Sequence, residues 1–249
     1  MNLIFRCSSL HRLMGNAKSI DESLLNDEIK AIQKLVKAKR TDEQQKVLDD
    51  LLDQTLSAGA KALVKEMVRK EKHNAPSKFT GSKETNKGNL VEDDAIRFLM
   101  QQEFISAEKN TQRFTNEWIT GEPDIISNGI VYDTKCPWTY WTMDYFADDI
   151  ESKALDAGYD WQQLGYMWLL KESGIEIKEA QLKFILMPTP RDCMTRYDDY
   201  YTHIEFVEEM NPKDRISTYK IQYDESKIEL IKIKIEAARK YAKTLEFKR

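Results

Sequence analysis

The sequence has 249 residues, of which 41% are hydrophobic and 10% aromatic, a composition that indicates a folded globular protein and not a disordered chain. No apolar run approaches the roughly 18 residues of a membrane span, and the first residues contain no apolar stretch typical of a signal peptide. The three cysteines, Cys7, Cys136 and Cys193, lie far apart. They exclude a four-cysteine metal site and fit a reducing cytoplasm.

The net charge of −4 argues at first against a nucleic-acid partner, but the charge is unevenly distributed. Residues 56–90 carry eight Lys and Arg against three Asp and Glu, and the rest of the chain after them is acidic. A basic segment ahead of an acidic half is compatible with contact to a phosphate backbone beside a metal site. An ordinary solvated helix face explains any single lysine equally well.

The first third of the chain is predicted to be helical. Residues 4–5 indicate a short strand, and a helix with Ser8 or Ser9 as its N-cap follows. Apolar side chains then recur at helical spacing in three further segments, residues 21–40, 42–57 and 58–72.

A polar stretch separates this helical region from the rest of the chain. Residues 74–87 contain the breakers Asn74 and Pro76, and we predict a mobile linker there. The whole chain is expected to form a single domain, with a helical N-terminal region over residues 1–75 and a core region over residues 76–249. The core is predicted to begin with a helix over residues 88–102.

A β-hairpin is predicted over residues 121–136. Asn128-Gly129 is a strong hairpin signal because a type I′ turn needs positive φ at both central residues. Counting outward from this turn, the expected cross-strand pairs are Ser127 with Ile130, Ile126 with Val131, Ile125 with Tyr132, and Asp124 with Asp133. Since side chains alternate along a strand, Lys135 shares the face of Asp133.

Two aspartates placed opposite each other repel, and this repulsion destabilises the hairpin unless a cation offsets it. Lys135 alone could act as a structural counter-ion. Alternatively, Asp124 and Asp133 form a metal site, because converging carboxylate oxygens suit Mg²⁺ or Mn²⁺. The residues themselves leave both interpretations open.

The second half of the chain is predicted to complete a sheet flanked by helices. An aromatic run includes Trp138, Tyr140 and Trp141, which either stack on the bases of a separated strand or belong to the core; we favour the core. A helix over residues 159–172 places Gln162 and Tyr166 on one face. Further strands are predicted at residues 181–187, 201–207 and 219–223, followed by a helix from residue 226. This order predicts an α/β (α+β) fold.

Four features occur in a characteristic order along the chain: Gly88-x3-Glu92, Glu122-Pro123-Asp124, Asp133-Thr134-Lys135 and Gln162-x3-Tyr166. In this order the chain resembles the PD-(D/E)XK nuclease superfamily, and within it the RecB-like and lambda-exonuclease-like (YqaJ) branch found in phages. The runs FRCSSL, DTKCPW and DWQQLGYMWL are similar to phage members of that branch. Asp133 replaces the commoner Glu of the (Asp/Glu)-x-Lys motif, which is within the family pattern.

The resemblance implies a restriction-endonuclease-like core, in which a central mixed sheet with a catalytic β-hairpin is flanked by helices. It also implies the site residues. Glu92, Asp124, Asp133 and the Thr134 carbonyl would bind Mg²⁺ or Mn²⁺, and Lys135 would orient the attacking water or stabilise phosphate charge. Gln162 and Tyr166 would position active-site groups or DNA. Arg6, Ser8 and Ser9 would contact a DNA phosphate, although a plain N-cap explains the serines equally well.

The sequence therefore predicts a metal-dependent DNA nuclease, with an exonuclease of phage recombination or DNA processing as the first choice. An endonuclease of restriction or junction-resolving type and an inactive DNA-binding module of the same fold are the alternatives. The resemblance further implies a homo-oligomer, a single-strand annealing protein as partner, and the cytoplasm of a bacterial host. No Gly-x4-Gly-Lys-Ser/Thr loop is present, so the chain carries no ATPase motor of that kind.

Overall fold

The structure, a computed structural model, describes residues 3–76 and 81–247. Within these residues the helices are α1 (Leu10–Leu13), α2 (Asp27–Lys34), α3 (Asp42–Asp53), α4 (Ala58–His73), α5 (Lys83–Gln102), α6 (Ala147–Asp156), α7 (Tyr159–Glu172), α8 (Phe206–Glu209) and α9 (Glu225–Lys243). The strands are β1 (Phe5–Arg6), β2 (Phe114–Thr115), β3 (Ile119–Gly121), β4 (Ile125–Ser127), β5 (Ile130–Lys135), β6 (Glu179–Ile185) and β7 (Ile216–Gln222).

The strands form two mixed sheets. The larger has the order β4-β5-β6-β7, with β5 and β6 parallel and the two outer pairs antiparallel. The smaller has the order β1-β3-β2, in which β1 runs parallel to β3. Helices flank the sheets, so the predicted α+β class with a mixed sheet is confirmed.

The β4–β5 hairpin has the predicted register. Ser127 pairs with Ile130, Ile126 with Val131, and Ile125 with Tyr132. Asn128 and Gly129 both have positive φ, +51° and +78°, as the type I′ turn requires. Asp124 and Asp133 are the next residue on each strand and therefore lie at the open end of the hairpin.

Helices cover both faces of the larger sheet, and successive side chains of β5 point to opposite faces. Val131 contributes to the main core, which α7, α9 and the N-terminal segment share. Tyr132 contributes to a second core with Val91 and Leu99 of α5. The period of two along a strand therefore fixes which helix each residue contacts.

Helix α7 is buried on almost every side. Residues 162–170 are all buried, between the larger sheet and the segment that contains β1 and α1. Gly165 makes this packing feasible, because a Cβ there would lie 2.9 Å from both Cys7 Sγ and Leu10 Cδ1. The segment at the start of the chain is thus packed directly on the helix that carries Gln162 and Tyr166.

The prediction of a strand at residues 201–207 is wrong. A π-helical turn, Tyr201–Glu205, runs into α8 instead. The buried residues of this turn and of α8 are His203, Ile204 and Val207, which have helical spacing. The residues with high β-propensity in this run favoured a strand in the sequence-based prediction.

The helix predicted over residues 21–40 is shorter than expected. The Asn26 side chain accepts a hydrogen bond from Ile29 N and caps α2, which ends at Lys34. Short 3-10 turns at Glu22–Leu24 and Lys37–Lys39 lie on either side.

The linker predicted over residues 74–87 is also shortened, because α5 begins at Lys83 with Ser82 as its N-cap. Residues 77–80 of that linker lie outside the described residues. Sequence patterns gave no indication of α6, β2 or β3. None of the described helices has the length and apolar character needed to cross a membrane.

Two helix glycines provide a matched test of this packing. We expect Gly165→Ala to lower the free energy of unfolding by about 1–3 kcal/mol, because the added methyl group clashes with Cys7 and Leu10. Gly88→Ala should raise it by about 0.5–1 kcal/mol, because a Cβ on that residue of α5 meets nothing within 4 Å. Urea denaturation of both variants measures the difference, and equal stability of the two would contradict the packing described for α7.

Candidate active site

The open end of the β4–β5 hairpin brings two aspartates together. Asp133 is in β5, with a side chain only 2% exposed, and Asp124 lies just before β4. Asp124 is held in place by Thr134, whose backbone N and Oγ1 donate to Asp124 Oδ2 at 2.7 and 2.8 Å. The carboxylates of the two strands are thus fixed by the hairpin itself.

Lys135 supplies positive charge to this pair. Its Nζ forms an ion pair with Asp133 Oδ2 and lies 3.3 Å from the Thr134 carbonyl oxygen. The Lys135 side chain is 26% exposed, so it reaches solvent while its partner does not. The geometry places a cation at the boundary between the buried carboxylate and the open surface.

Helix α7 contributes one side chain, Gln162, to the other oxygen of Asp133, and Tyr166 contacts that glutamine. Gln162 Nε2 lies 3.2 Å from Asp133 Oδ1 and 2.8 Å from the Tyr166 hydroxyl oxygen. The predicted placement of Gln162 and Tyr166 one turn apart on a helix is therefore present. Asp133 is bound from two directions, by Lys135 from the strand and by Gln162 from the helix.

The electrostatics of the cluster follow from burial and charge. Burial and then the charge of Asp133 raise the pKa of Asp124 to about 7, against which Lys135 and the Thr134 hydrogen bonds act. Burial alone would lower the pKa of Lys135, but the charges of Asp133 and Asp124 outweigh it and raise that pKa. Burial and the charge of Asp133 also raise the pKa of Tyr166, so its hydroxyl stays protonated.

Glu92 on α5 has no described contact with Asp124 or Asp133 and is bound by a residue that the sequence did not single out. Lys109 Nζ is 2.6 Å from Glu92 Oε1 and 2.6 Å from Asp93 Oδ1. The next residue, Asn110, donates its backbone N–H to the Asp124 carbonyl oxygen at 2.7 Å. Lys109 and Asn110 thus connect α5 to the hairpin, and no motif or spacing marked them.

Arg6, Ser8 and Ser9, the predicted DNA contacts, lie outside the carboxylate cluster. Arg6 and Ser8 are exposed, and Ser9 Oγ donates to the Arg6 carbonyl oxygen at 2.8 Å. They are in β1 and the 3-10 turn Cys7–Ser9, which packs against α7, and the helix that follows has only four residues. In the described residues no hydrogen bond joins these three side chains to Asp124 or Asp133.

The oxygen donors at the hairpin fit a hard divalent cation as a partial ligand set. The described part of the chain contains no group of three His, Cys, Asp or Glu side chains that could hold a metal ion. Mg²⁺, however, is commonly bound by one or two carboxylates and takes its remaining ligands from water and phosphate. Asp124, Asp133 and the Thr134 carbonyl would supply the protein ligands of such an ion. Glu92 would become a further ligand only if its ion pair with Lys109 were broken.

Solved structures of two exonucleases are similar to this chain. The phage-related exonuclease from Haemophilus somnus 129PT has a TM-score of 0.78 and 35% sequence identity, over 97% of this chain and 94% of that chain. The alkaline exonuclease LHK-Exo from Laribacter hongkongensis has a TM-score of 0.50 and 12% identity, over 77% of this chain and 84% of that one, which supports the fold alone. No family model and no curated protein matches the sequence.

The hydrogen bond between Gln162 and Tyr166 can be isolated by a double-mutant cycle. We expect Gln162→Leu and Tyr166→Phe to be coupled by about 0.5–1.5 kcal/mol in the free energy of unfolding, because each variant removes one partner of the same buried bond. Tyr241→Phe on α9, beside Lys61, is the control partner and should be additive with Gln162→Leu. Chemical denaturation of the single and double variants gives the coupling, and additivity of the first pair would refute it.

Proposed function

This chain belongs to the family of the phage-related exonuclease from Haemophilus somnus 129PT, and on that premise we propose that it is a metal-dependent deoxyribonuclease that digests DNA from its ends. One observation carries the proposal. Asp124, Asp133 and Lys135 converge at the open end of one hairpin, where Gln162 from α7 fixes the buried carboxylate. This is the group of residues that the resemblance to PD-(D/E)XK nucleases implies, and that assignment remains a prediction.

Hydrolysis of a phosphodiester needs a nucleophilic water near neutral pH and positive charge close to the developing charge on the phosphate. A divalent cation bound by Asp124, Asp133 and the Thr134 carbonyl would supply both by acidifying a bound water and polarising the phosphate. In this proposal Thr134 holds the Asp124 carboxylate in its orientation through two hydrogen bonds. Glu92 is the further carboxylate of the site.

In this proposal Lys135 contacts both the phosphate and the attacking water. Its ammonium is held by Asp133 inside the site, yet part of the side chain faces solvent. The raised pKa keeps Lys135 positively charged, so its role is to stabilise charge and to orient water, not to accept a proton. Gln162 and Tyr166 position Asp133 from the helix side.

The substrate in this proposal is DNA. The proposed location is the cytoplasm of a bacterial host, and the three free cysteines are consistent with such a reducing compartment. Arg6, Ser8 and Ser9 are proposed to contact a DNA phosphate, since they are mostly exposed on a segment packed against α7. A homo-oligomer and a single-strand annealing partner follow from the resemblance and belong to the same proposal.

Digestion of DNA tests the proposed activity. We expect the wild type with Mg²⁺ to degrade linear duplex DNA and to leave covalently closed circular DNA intact, and EDTA to stop the reaction. Asp133→Ala and Lys135→Ala should each lower the rate by roughly a hundredfold or more, because each removes charge from the reacting centre. Cleavage of the closed circle would indicate an endonuclease instead. Binding of DNA without any cleavage would indicate an inactive DNA-binding module.

Glu92 and Asp93 give a matched test of the metal site, because both carboxylates bind Lys109. We expect Glu92→Ala to lower the digestion rate roughly tenfold or more and to raise the Mg²⁺ concentration needed for half-maximal activity. Asp93→Ala should leave both values close to those of the wild type. Equal effects of the two substitutions would mean that the ion pair with Lys109, and not metal binding, explains the loss.

A further inference from the structure

Exposed aromatic side chains are concentrated in one part of the molecule. Eight aromatic side chains are exposed among the residues that the structure describes, and two of them, Phe104 and Phe247, are isolated from the rest. The other six, here called the edge aromatics, are Trp141, Tyr145, Phe146, Tyr197, Tyr200 and Tyr201. Single exposed apolar residues need no explanation, but six in two short segments indicate a binding surface.

Both segments leave the same edge of the larger sheet. Residues 136–146 follow β5 and residues 186–201 follow β6, and these two strands are parallel, with Lys135 opposite Phe184. The carboxyl ends of parallel strands meet at one edge, where open sheets commonly bind their ligands. The edge aromatics therefore lie on the segments that begin beside Lys135.

Contacts join the two segments into one surface. Thr189 Oγ1 of the second segment donates to the Trp138 carbonyl oxygen at 3.3 Å. Just beyond that segment, the His203 and Phe206 rings lie 5.0 and 5.3 Å, between centroids, from those of Trp138 and Tyr140. From α5, the fully buried Lys87 donates to the carbonyl oxygens of Pro137 and Trp138 at 2.8 and 2.9 Å. A buried lysine with two such bonds fixes the backbone between Lys135 and the edge aromatics.

The expectation that Trp138, Tyr140 and Trp141 form part of the core is wrong for Trp141. Trp138 and Tyr140 are half-buried and support the surface, while the Trp141 side chain is 81% exposed. Phe146 is also largely exposed, at 71%. Burial of their large apolar rings requires an occupant from outside the described chain.

Two arginines beside the edge aromatics favour a nucleic-acid occupant, although the two segments together also carry four aspartates. Arg191 lies over the Tyr200 ring at 5.0 Å and Arg196 over the Tyr197 ring at 4.7 Å, and neither forms an ion pair with a described carboxylate. Of the four aspartates in these segments, Asp144 pairs with Lys153 at 2.6 Å and Asp198 with Lys83 at 3.4 Å, whereas Asp192 and Asp199 form no ion pair with a described residue. Aromatic faces next to arginines without acidic partners are the combination that binds single-stranded nucleic acid.

We propose that the edge aromatics bind the unpaired bases of a DNA strand by stacking, next to the site where its backbone is cut. The inference rests on the proposed nuclease function, because it concerns the substrate of the same site. Bases inside a duplex are already stacked on both neighbours, whereas a separated strand presents free base faces to Trp141 and Phe146. The substrate at this surface is accordingly single-stranded at the point of contact.

Binding of two short oligonucleotides of equal length, one of thymidines and one abasic, separates base stacking from phosphate contact. Fluorescence anisotropy is measured in EDTA so that no strand is cut. We expect the double variant Trp141→Ala with Phe146→Ala to weaken binding of the thymidine oligonucleotide about tenfold or more. Binding of the abasic oligonucleotide, which has no bases to stack, should stay as in the wild type.

Phe104→Ala is the matched control, because Phe104 is an equally exposed aromatic at a distant position. Helix α5 has 20 residues and therefore spans about 30 Å. At its start Lys83 Nζ lies 4.5 Å from the centroid of the Trp138 ring, whereas Phe104 follows its other end. This variant should bind both oligonucleotides like the wild type, and circular dichroism verifies that every variant is folded.

Equal weakening of both oligonucleotides by the double variant would overturn the inference, because the lost contact would not be to bases. Unchanged binding would also overturn it and leave the surface to another occupant, such as a protein. Failure of the wild type to bind either oligonucleotide would do the same. If the double variant selectively loses the thymidine oligonucleotide while the wild type digests no DNA, base stacking stands and the proposed nuclease activity fails.

Discussion

Asp133 is a carboxylate with almost no solvent exposure, and an isolated buried charge is destabilising by several kcal/mol. Two partners offset that energy, the Lys135 ammonium on one oxygen and the Gln162 amide on the other. The partners belong to different elements, so the strand β5 and the helix α7 must keep a fixed relative position. Much of the remaining architecture serves to hold that position.

Helix α7 can carry out this role because it is buried from both sides. The sheet covers one face of the helix, and the segment of β1 and α1 covers another, where Gly165 lies against Cys7 and Leu10. Close packing of this kind leaves little freedom for the helix to shift or rotate. The beginning of the chain thus contributes to the site through the rigidity of α7, although Arg6, Ser8 and Ser9 form no hydrogen bond to the carboxylates.

The parallel pair β5–β6 decides what surrounds the site. Each of these strands is followed by an aromatic segment at its carboxyl end, and Lys87 of α5 fixes the first segment through two carbonyl oxygens. Lys135 and the exposed rings therefore occupy neighbouring positions along one edge of the sheet. In the proposed function, this edge would bring a phosphate backbone and the bases attached to it within reach of different parts of the same surface.

The sequence by itself determined the local features of this protein. The Asn128-Gly129 turn set the hairpin register, which brought Asp124 and Asp133 to one end, and helical periodicity placed Gln162 and Tyr166 one turn apart. These signals are short-range, because turn chemistry and periodicity involve neighbouring residues only.

Tertiary structure decided the rest. Only the folded chain pairs Glu92 with Lys109, exposes Trp141, and turns residues 201–207 into helical turns instead of a strand. Each of these outcomes depends on contacts between segments distant in sequence, and such contacts override local propensity.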